Sequence, residues 1–457
     1  MARPASGWQL SGSASRDLAK HRSLSRRRGS CERAGVDRAL ELARTTVLAA
    51  VVGVACGAAS ALFLWLLEVV TSTRLAHEEL VFLLPLAGLA IGLVYERWGA
   101  TIRGGNDLVL DTLHSHGAPL PLRMAPMVMI GTVLTHLFGG SAGREGTAVQ
   151  MGGALADTLA SRARVSPEAR RTLIVAGIAG GFGSVFGTPL AGAIFGLEVP
   201  TIGKPEHRAL VPALVASFVG DLTTRALGIE HTPYPAVDAL ALAPIVVAKW
   251  LVFAAAVAAV TVVFLELTHG LKREGERRVP RLPIRMLIGG LVVVALWRLV
   301  GTSDYLGLGV PTIVRAFDDA TLAEPTFALK LLFTAVTISA GFLGGEVTPL
   351  FFVGAALGNL LAAALGLPLD LSAAVGMAAV FAAASNAPIA LTIMAVELVG
   401  LAVLPHAALV CVLACLLTGH RGLYGAQRVA RLKTGARVDP PVRLAALHRP
   451  PARPREP

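Results

Sequence analysis

Two glycine-flanked carboxylates in an otherwise apolar chain are the residues whose chemistry asks for an explanation. Gly143-Arg144-Glu145-Gly146-Thr147 sets an arginine and a glutamate inside a run that continues through Ala148-Val149-Gln150-Met151-Gly152-Gly153. About 200 residues later, Gly344-Gly345-Glu346-Val347-Thr348-Pro349 repeats the Gly-x-Glu-x-Thr spelling, so that Glu145 meets Glu346, Thr147 meets Thr348 and Gly153 meets Gly354. An ionisable group at bilayer depth is costly, and its default reading is a substrate or proton path. Glycine ahead of a helix start leaves unpaired amides open to close approach, and the helix dipole adds positive potential there. A carboxylate at such a start competes with an anion for those amides, and it exchanges a proton as it swings out. The chemistry indicated is anion movement coupled to a proton.

The elements that must carry these residues are membrane helices. With 54% hydrophobic and 16% charged residues and a mean hydropathy of +0.65, the 457-residue chain is an integral membrane protein rather than a soluble one. Many apolar runs are shorter than the ~20 residues a spanning helix needs, or are broken by Gly or Pro, as in discontinuous helices that line a cavity. A second pair of echoes, Phe182 to Glu198 against Phe381 to Glu397, is again about 200 residues apart. Duplicated halves with a site at their interface are a transporter signature. The expected organisation is a basic disordered tail over residues 1–38, a first membrane repeat over 39–228, a linker over 229–242, a second repeat over 243–425, and a basic tail over 426–457 too short for a regulatory domain. A third glycine-rich start, Gly104-Gly105-Asn106-Asp107, launches another helix with Asn106 or Asp107 as its N-cap. The glycines of 177–187 serve close helix packing, and the polar stretch Asp157 to Arg171 reads as a connector facing water.

The net charge of +11 gathers at the two ends. Positive-inside bias places both termini in the cytoplasm, with anionic headgroups as their counter-charge. Nucleic-acid binding is not expected, because the basic ends lack interleaved aromatics. Cys31, Cys56, Cys411 and Cys415 form no disulfide framework or metal pattern, and His114, His116 and His136 read as structural or solvated. Asp107 and Asp111 read as a solvated helix face, and Glu198 and Glu397 as partners of cations. No metal and no cofactor is expected.

With Leu423-Tyr424 near its end, the chain resembles the CLC chloride channels and proton antiporters across residues 45–430. The resemblance implies an all-α polytopic fold of two inverted repeats with broken, re-entrant helices, homodimeric, with one pathway per subunit. It assigns gating and proton transfer to Glu145, and anion binding to the amides of Glu346 and Val347 and to the Tyr424 hydroxyl; the glycine-rich helix starts at Gly105, Asn106, Arg144 and Gly146 are further anion-binding candidates on their own residues. Several departures carry information. Thr147 stands where the family has Pro, Val347 where it has Phe, and Asn106 at the filter serine, while Val199 replaces the inner proton glutamate. These features are similar to the fluoride-exporting branch. Fluoride is small and strongly hydrated, so a site for it needs several short donors, such as Asn106 and Thr348. Glu346 is then the candidate second proton carrier. The expected function is fluoride export from a bacterial cytoplasm in exchange for protons, across the plasma membrane. A chloride/proton antiporter or chloride channel of the same fold is the near alternative, and a non-conducting membrane scaffold or enzyme the remote one.

Overall fold

The computed structural model describes residues 12–114 and 119–447, with side chains described from residue 39 onward. Readings that concern residues 1–11, Ser115, His116, Arg449, Arg453 and Arg455 lie outside the described residues. The chain divides into two units, residues 1–47 and residues 48–457. The first contains the leading part of helix α1 (Gly12–Ala76), so the backbone is helical from Gly12, where the sequence suggested a disordered tail. The second holds the remaining elements and is described below.

This unit is a stack of helices: α2 (Leu84–Trp98), α3 (Gly105–His114), α4 (Met124–Leu137), α5 (Glu145–Arg162), α6 (Pro167–Phe186), α7 (Pro189–Glu198) and α8 (Leu210–Ala226), and then α9 (Pro244–Arg278), α10 (Leu282–Val300), α11 (Val310–Arg315), α12 (Thr326–Ala340), α13 (Val347–Leu365), α14 (Leu369–Ser385), α15 (Pro388–Val399) and α16 (Leu404–Leu417). Among the described residues, six helical segments are long and apolar enough to cross a membrane, the longest being Ala39–Ala76 and Pro244–Arg278. The rest are shorter. The sequence punctuates them by ordinary rules: proline sits in the first turns of α6, α7, α15 and α16, where its missing N–H costs nothing. Ser166 caps α6 by accepting from the Ala169 amide, and α6 ends on Gly187 in the left-handed conformation.

Glycine lets paired helices touch backbone to backbone. A side chain on Gly177 of α6 would come within 2.3 Å of the Gly152 carbonyl of α5, and one on Gly181 within 2.3 Å of the Ala148 carbonyl. The second half repeats the device, with Gly376 of α14 against the Gly354 carbonyl of α13 at 2.2 Å. These crossings pack α5 on α6 and α13 on α14 tightly, and so fix where the two glutamate-bearing starts point. The stretch expected as a connector is mostly helix. Asp157 is buried on α5, accepting from the Leu120 amide (2.6 Å) and from Arg170 Nε (2.5 Å).

The end of the described chain folds as well. Strands β1 (Thr201–Ile202), β2 (Arg428–Arg431) and β3 (Arg437–Arg443) form one small sheet in that order, β1 and β2 parallel, β2 and β3 antiparallel. The residues from 426 are therefore more than a tail. Asp107 and Asp111 tie this segment to α3, Asp107 Oδ1 accepting from the Ala426 amide (3.0 Å) and Asp111 pairing with Arg443 (2.8 Å). Neither is part of a solvated helix face. Asn106 and Asp107 also lie inside the first turn of α3 rather than ahead of it, because the Leu108 amide already bonds the Gly104 carbonyl.

Candidate functional site

The two glycine-glutamate stretches meet. Gly143 and Gly345 form an isolated antiparallel bridge, with Gly143 N donating to Gly345 O (2.6 Å) and Gly345 N to Gly143 O (2.8 Å). This pairing brings the first turns of α5 and α13 face to face. A side chain on Gly345 would lie 2.6 Å from the Gly146 amide nitrogen, so only glycine permits the approach.

The Glu145 side chain fills the junction. It is fully buried. Its Oε2 accepts from the Arg144 amide (3.0 Å) and from the Thr348 amide (3.2 Å), while Oε1 accepts a short bond from the Thr348 hydroxyl. Amides from both helix starts thus converge on one negative group, and the Thr348 amide belongs to the first turn of α13, where the dipole favours an anion. The carboxylate stands where an anion would stand. Arg144 remains a neighbour rather than a clamp: its Nε is 3.7 Å from Glu145 Oε1, and its guanidinium lies 6.0 Å over the Phe186 ring. Gly143 completes the seat, since a side chain there would fall 2.8 Å from Glu145 Oε2.

The third helix start joins at the side. Gly105 adopts a left-handed φ of +53° at the head of α3, and a side chain on Gly146 would meet Asn106 Nδ2 at 3.0 Å. Below the junction opens a cavity of about 400 Å³. It leads from the exposed charges Lys272 and Glu276 near the end of α9 to Asn106, Thr147, Glu346 and Tyr424. Its walls do not include Glu145, whose carboxylate sits between the starts of α5 and α13. Glu346, the N-cap of α13, keeps Oε2 buried without a partner, and Tyr424 is 6% exposed.

The candidate residues are accordingly together, with one shift of detail. The amide that receives the carboxylate is that of Thr348, one residue beyond the expected Val347; the Val347 side chain is buried in the core. Sequence reading passed over Thr132, whose hydroxyl lies 2.6 Å from that of Thr147 on the cavity wall, and Gln150, which faces Gly105. Both lie on helices of the site at spacings that look like ordinary core.

Residues 87–419 match the family described as voltage gated chloride channel. The chain belongs to the CLC family. It is 44% identical over 417 residues to a chloride/fluoride channel protein of Pseudomonas syringae pv. tomato, covering 89% of this chain and 91% of that one. Among solved structures it resembles a CLC-type fluoride/proton antiporter, with a TM-score of 0.83, 38% identity and coverage of 85% of this chain and 99% of the other. A slow cyanobacterial chloride/proton antiporter shares the fold at a TM-score of 0.71, with 17% identity over 82% of this chain and 94% of that one. The architecture is that of CLC antiporters: mostly helical, with one small three-stranded sheet among the described residues.

Proposed function

We propose that this CLC protein is a secondary active transporter that exports fluoride in exchange for protons. The observation that carries the reading is the seat of Glu145, a buried carboxylate held by amides of two opposed helix starts and by the Thr348 hydroxyl. An anion entering from the cavity competes for those donors. When the carboxylate yields its place it leaves a stabilising set of charged hydrogen bonds, each contributing about 1.5–3 kcal/mol, and it is then free to take up a proton. Displacement and protonation are the coupling.

Fluoride fits the donor set. Thr348, the Asn106 side chain, and the amides of Gly146 and Val347 offer N–H and O–H groups to a small, strongly hydrated acceptor that must be fully compensated on dehydration, with Gly105 and Arg144 shaping the approach and Tyr424 closing the lower end. Glu346, facing the cavity with an unpartnered oxygen, carries the proton on the inner side where Val199 offers none. The similarity to a chloride/fluoride channel protein and to a CLC-type fluoride/proton antiporter supports this assignment. In a bacterial plasma membrane, with both termini in the cytoplasm and two copies per assembly, protons entering from outside would drive fluoride out.

Recording fluoride and proton fluxes together from proteoliposomes tests the reading. The native chain should move both in fixed proportion, and Glu145→Gln should carry fluoride without protons. Chloride flux equal to fluoride flux would move the protein to the chloride antiporters, and the absence of any halide flux would refute transport and favour a scaffold.

A further inference from the structure

The cavity below the Glu145 seat contains a carboxylate that the exchange scheme leaves unused. Three acids line its walls, Asp107, Glu276 and Glu346. Glu346 is the N-cap of α13, with Oε2 buried and unpartnered. Glu276 is exposed, and Arg285 Nη2 stands 3.9 Å from its Oε1. Asp107 is half-buried in the first turn of α3.

The two oxygens of Asp107 are not equivalent. Oδ1 accepts from the Ala426 amide (3.0 Å) and so holds the segment that follows Tyr424. Oδ2 makes no hydrogen bond among the described residues, no basic nitrogen lies within 4 Å of it, and it is not sealed in the core. A side chain on Gly425 would meet Oδ2 at 3.6 Å, which places this oxygen beside the residue after Tyr424. The charged groups whose fields reach Asp107 are Lys272 of α9, Asp111 of α3 and Arg443 of β3. Arg443 is already paired with Asp111 (2.8 Å), and Lys272 is exposed on the cavity wall. The structural duty of Asp107 thus occupies one oxygen and leaves the other free.

Asp107 and Glu346 share more than a wall. The charge of Asp107 acts on Glu346, Lys272 reaches both, and the fields of both acids meet at Tyr424. A cavity of about 400 Å³ lined also by Asn106, Thr147 and Gln150 is polar and roomy enough for bridging water, and a proton passes between acid and base through one positioned water. Chains of carboxyl groups are the usual form of a proton relay at membrane depth. A proton on Glu346 needs such a further acceptor, since Val199 offers none.

We propose that Asp107 is a proton relay between Glu346 and the water at the cavity mouth, with Oδ2 as the atom that carries the proton. The role rests on the fluoride/proton exchange reading. In the transfer the O–H bond of protonated Glu346 breaks and one forms on Asp107 Oδ2 by way of bridging water. The carboxylate left on Glu346 takes the next proton, and Asp107 releases its own to water past Lys272. Oδ1 keeps the Ala426 amide throughout, so the loop that carries Tyr424 stays in place while the charge on Asp107 comes and goes.

Asp107→Asn is the discriminating change, because the asparagine oxygen still accepts from the Ala426 amide while the side chain no longer takes up a proton. In proteoliposomes that report both ions, it should lower proton flux by about tenfold or more, as for loss of a proton carrier. In the Glu145→Gln background, where fluoride moves without protons, the same change should not slow fluoride. Asp111→Asn weakens the Arg443 pair but leaves the cavity wall intact, and should keep proton flux within about twofold of the native value. Native proton flux in Asp107→Asn would overturn the relay. A matching fall in fluoride flux in the Glu145→Gln background would also overturn it, by marking a disturbed fold, and an equal loss of proton flux in Asp111→Asn would do so by tracing the effect to the terminal sheet. A native chain that exchanges chloride for protons displaces the fluoride assignment alone, and proton flux in Asp107→Asn decides the relay as before. A native chain that moves no protons overturns both.

Discussion

The two halves exchange carboxylates at two places, and the exchanges differ in kind. Where α7 meets α15 the exchange is reciprocal. Glu198 at the end of α7 accepts from the amides of Ile389 (3.2 Å) and Ala390 (2.9 Å) in the first turn of α15, and Glu397 of α15 accepts from those of Leu190 (2.9 Å) and Ala191 (2.7 Å) in the first turn of α7. Neither is a partner of cations, as the sequence reading had it; each caps a helix of the opposite half. Where α5 meets α13 the exchange runs one way. Glu145 caps α13, but Glu346 turns from α5 toward the cavity and leaves Oε2 unpartnered. A reciprocal cap satisfies both helix starts and holds them still. A one-way cap leaves a carboxylate over and a set of amides that an anion can claim, which is what a coupled exchanger requires.

Substitutions can break this contrast. The largest effect is expected for Glu145→Gln: proton flux in liposomes should fall at least about 100-fold while fluoride flux persists, as for removal of an essential proton carrier. If protons keep moving at the native ratio, the one-way cap has no role in coupling. Glu346→Gln should reduce proton flux by about tenfold or more while the fold is retained, since it removes the candidate inner carrier. An unchanged stoichiometry would make the asymmetry incidental.

Thr348→Val sharpens the comparison further. The hydroxyl serves carboxylate and fluoride in turn, so its loss removes about 1.5–3 kcal/mol from the seat, and in the Glu145→Gln background, where no carboxylate competes, the half-saturating fluoride concentration should rise by about tenfold. At the reciprocal crossing the expectation reverses. Glu198→Gln or Glu397→Gln should lower the thermal unfolding temperature by weakening a helix cap worth about 1 kcal/mol, with the proton-to-fluoride ratio unchanged. A changed ratio would show that both crossings take part in transport.

The anion-exchange reading was open in the chain itself because its signals are local. Glu145 and Glu346 sit in matched glycine-rich spellings, glycine and proline mark where helices start and stop, and an apolar composition makes every buried charge conspicuous. Partnership is what folding decided. Thr348 rather than Val347 receives the carboxylate, Glu198 and Glu397 trade helix caps, and Asp107 and Asp111 anchor the final sheet. Each of these joins residues far apart in the chain. Periodicity along a chain tells which face of a helix is apolar; only the packed arrangement sets which polar groups come within the 3 Å or so at which a hydrogen bond forms.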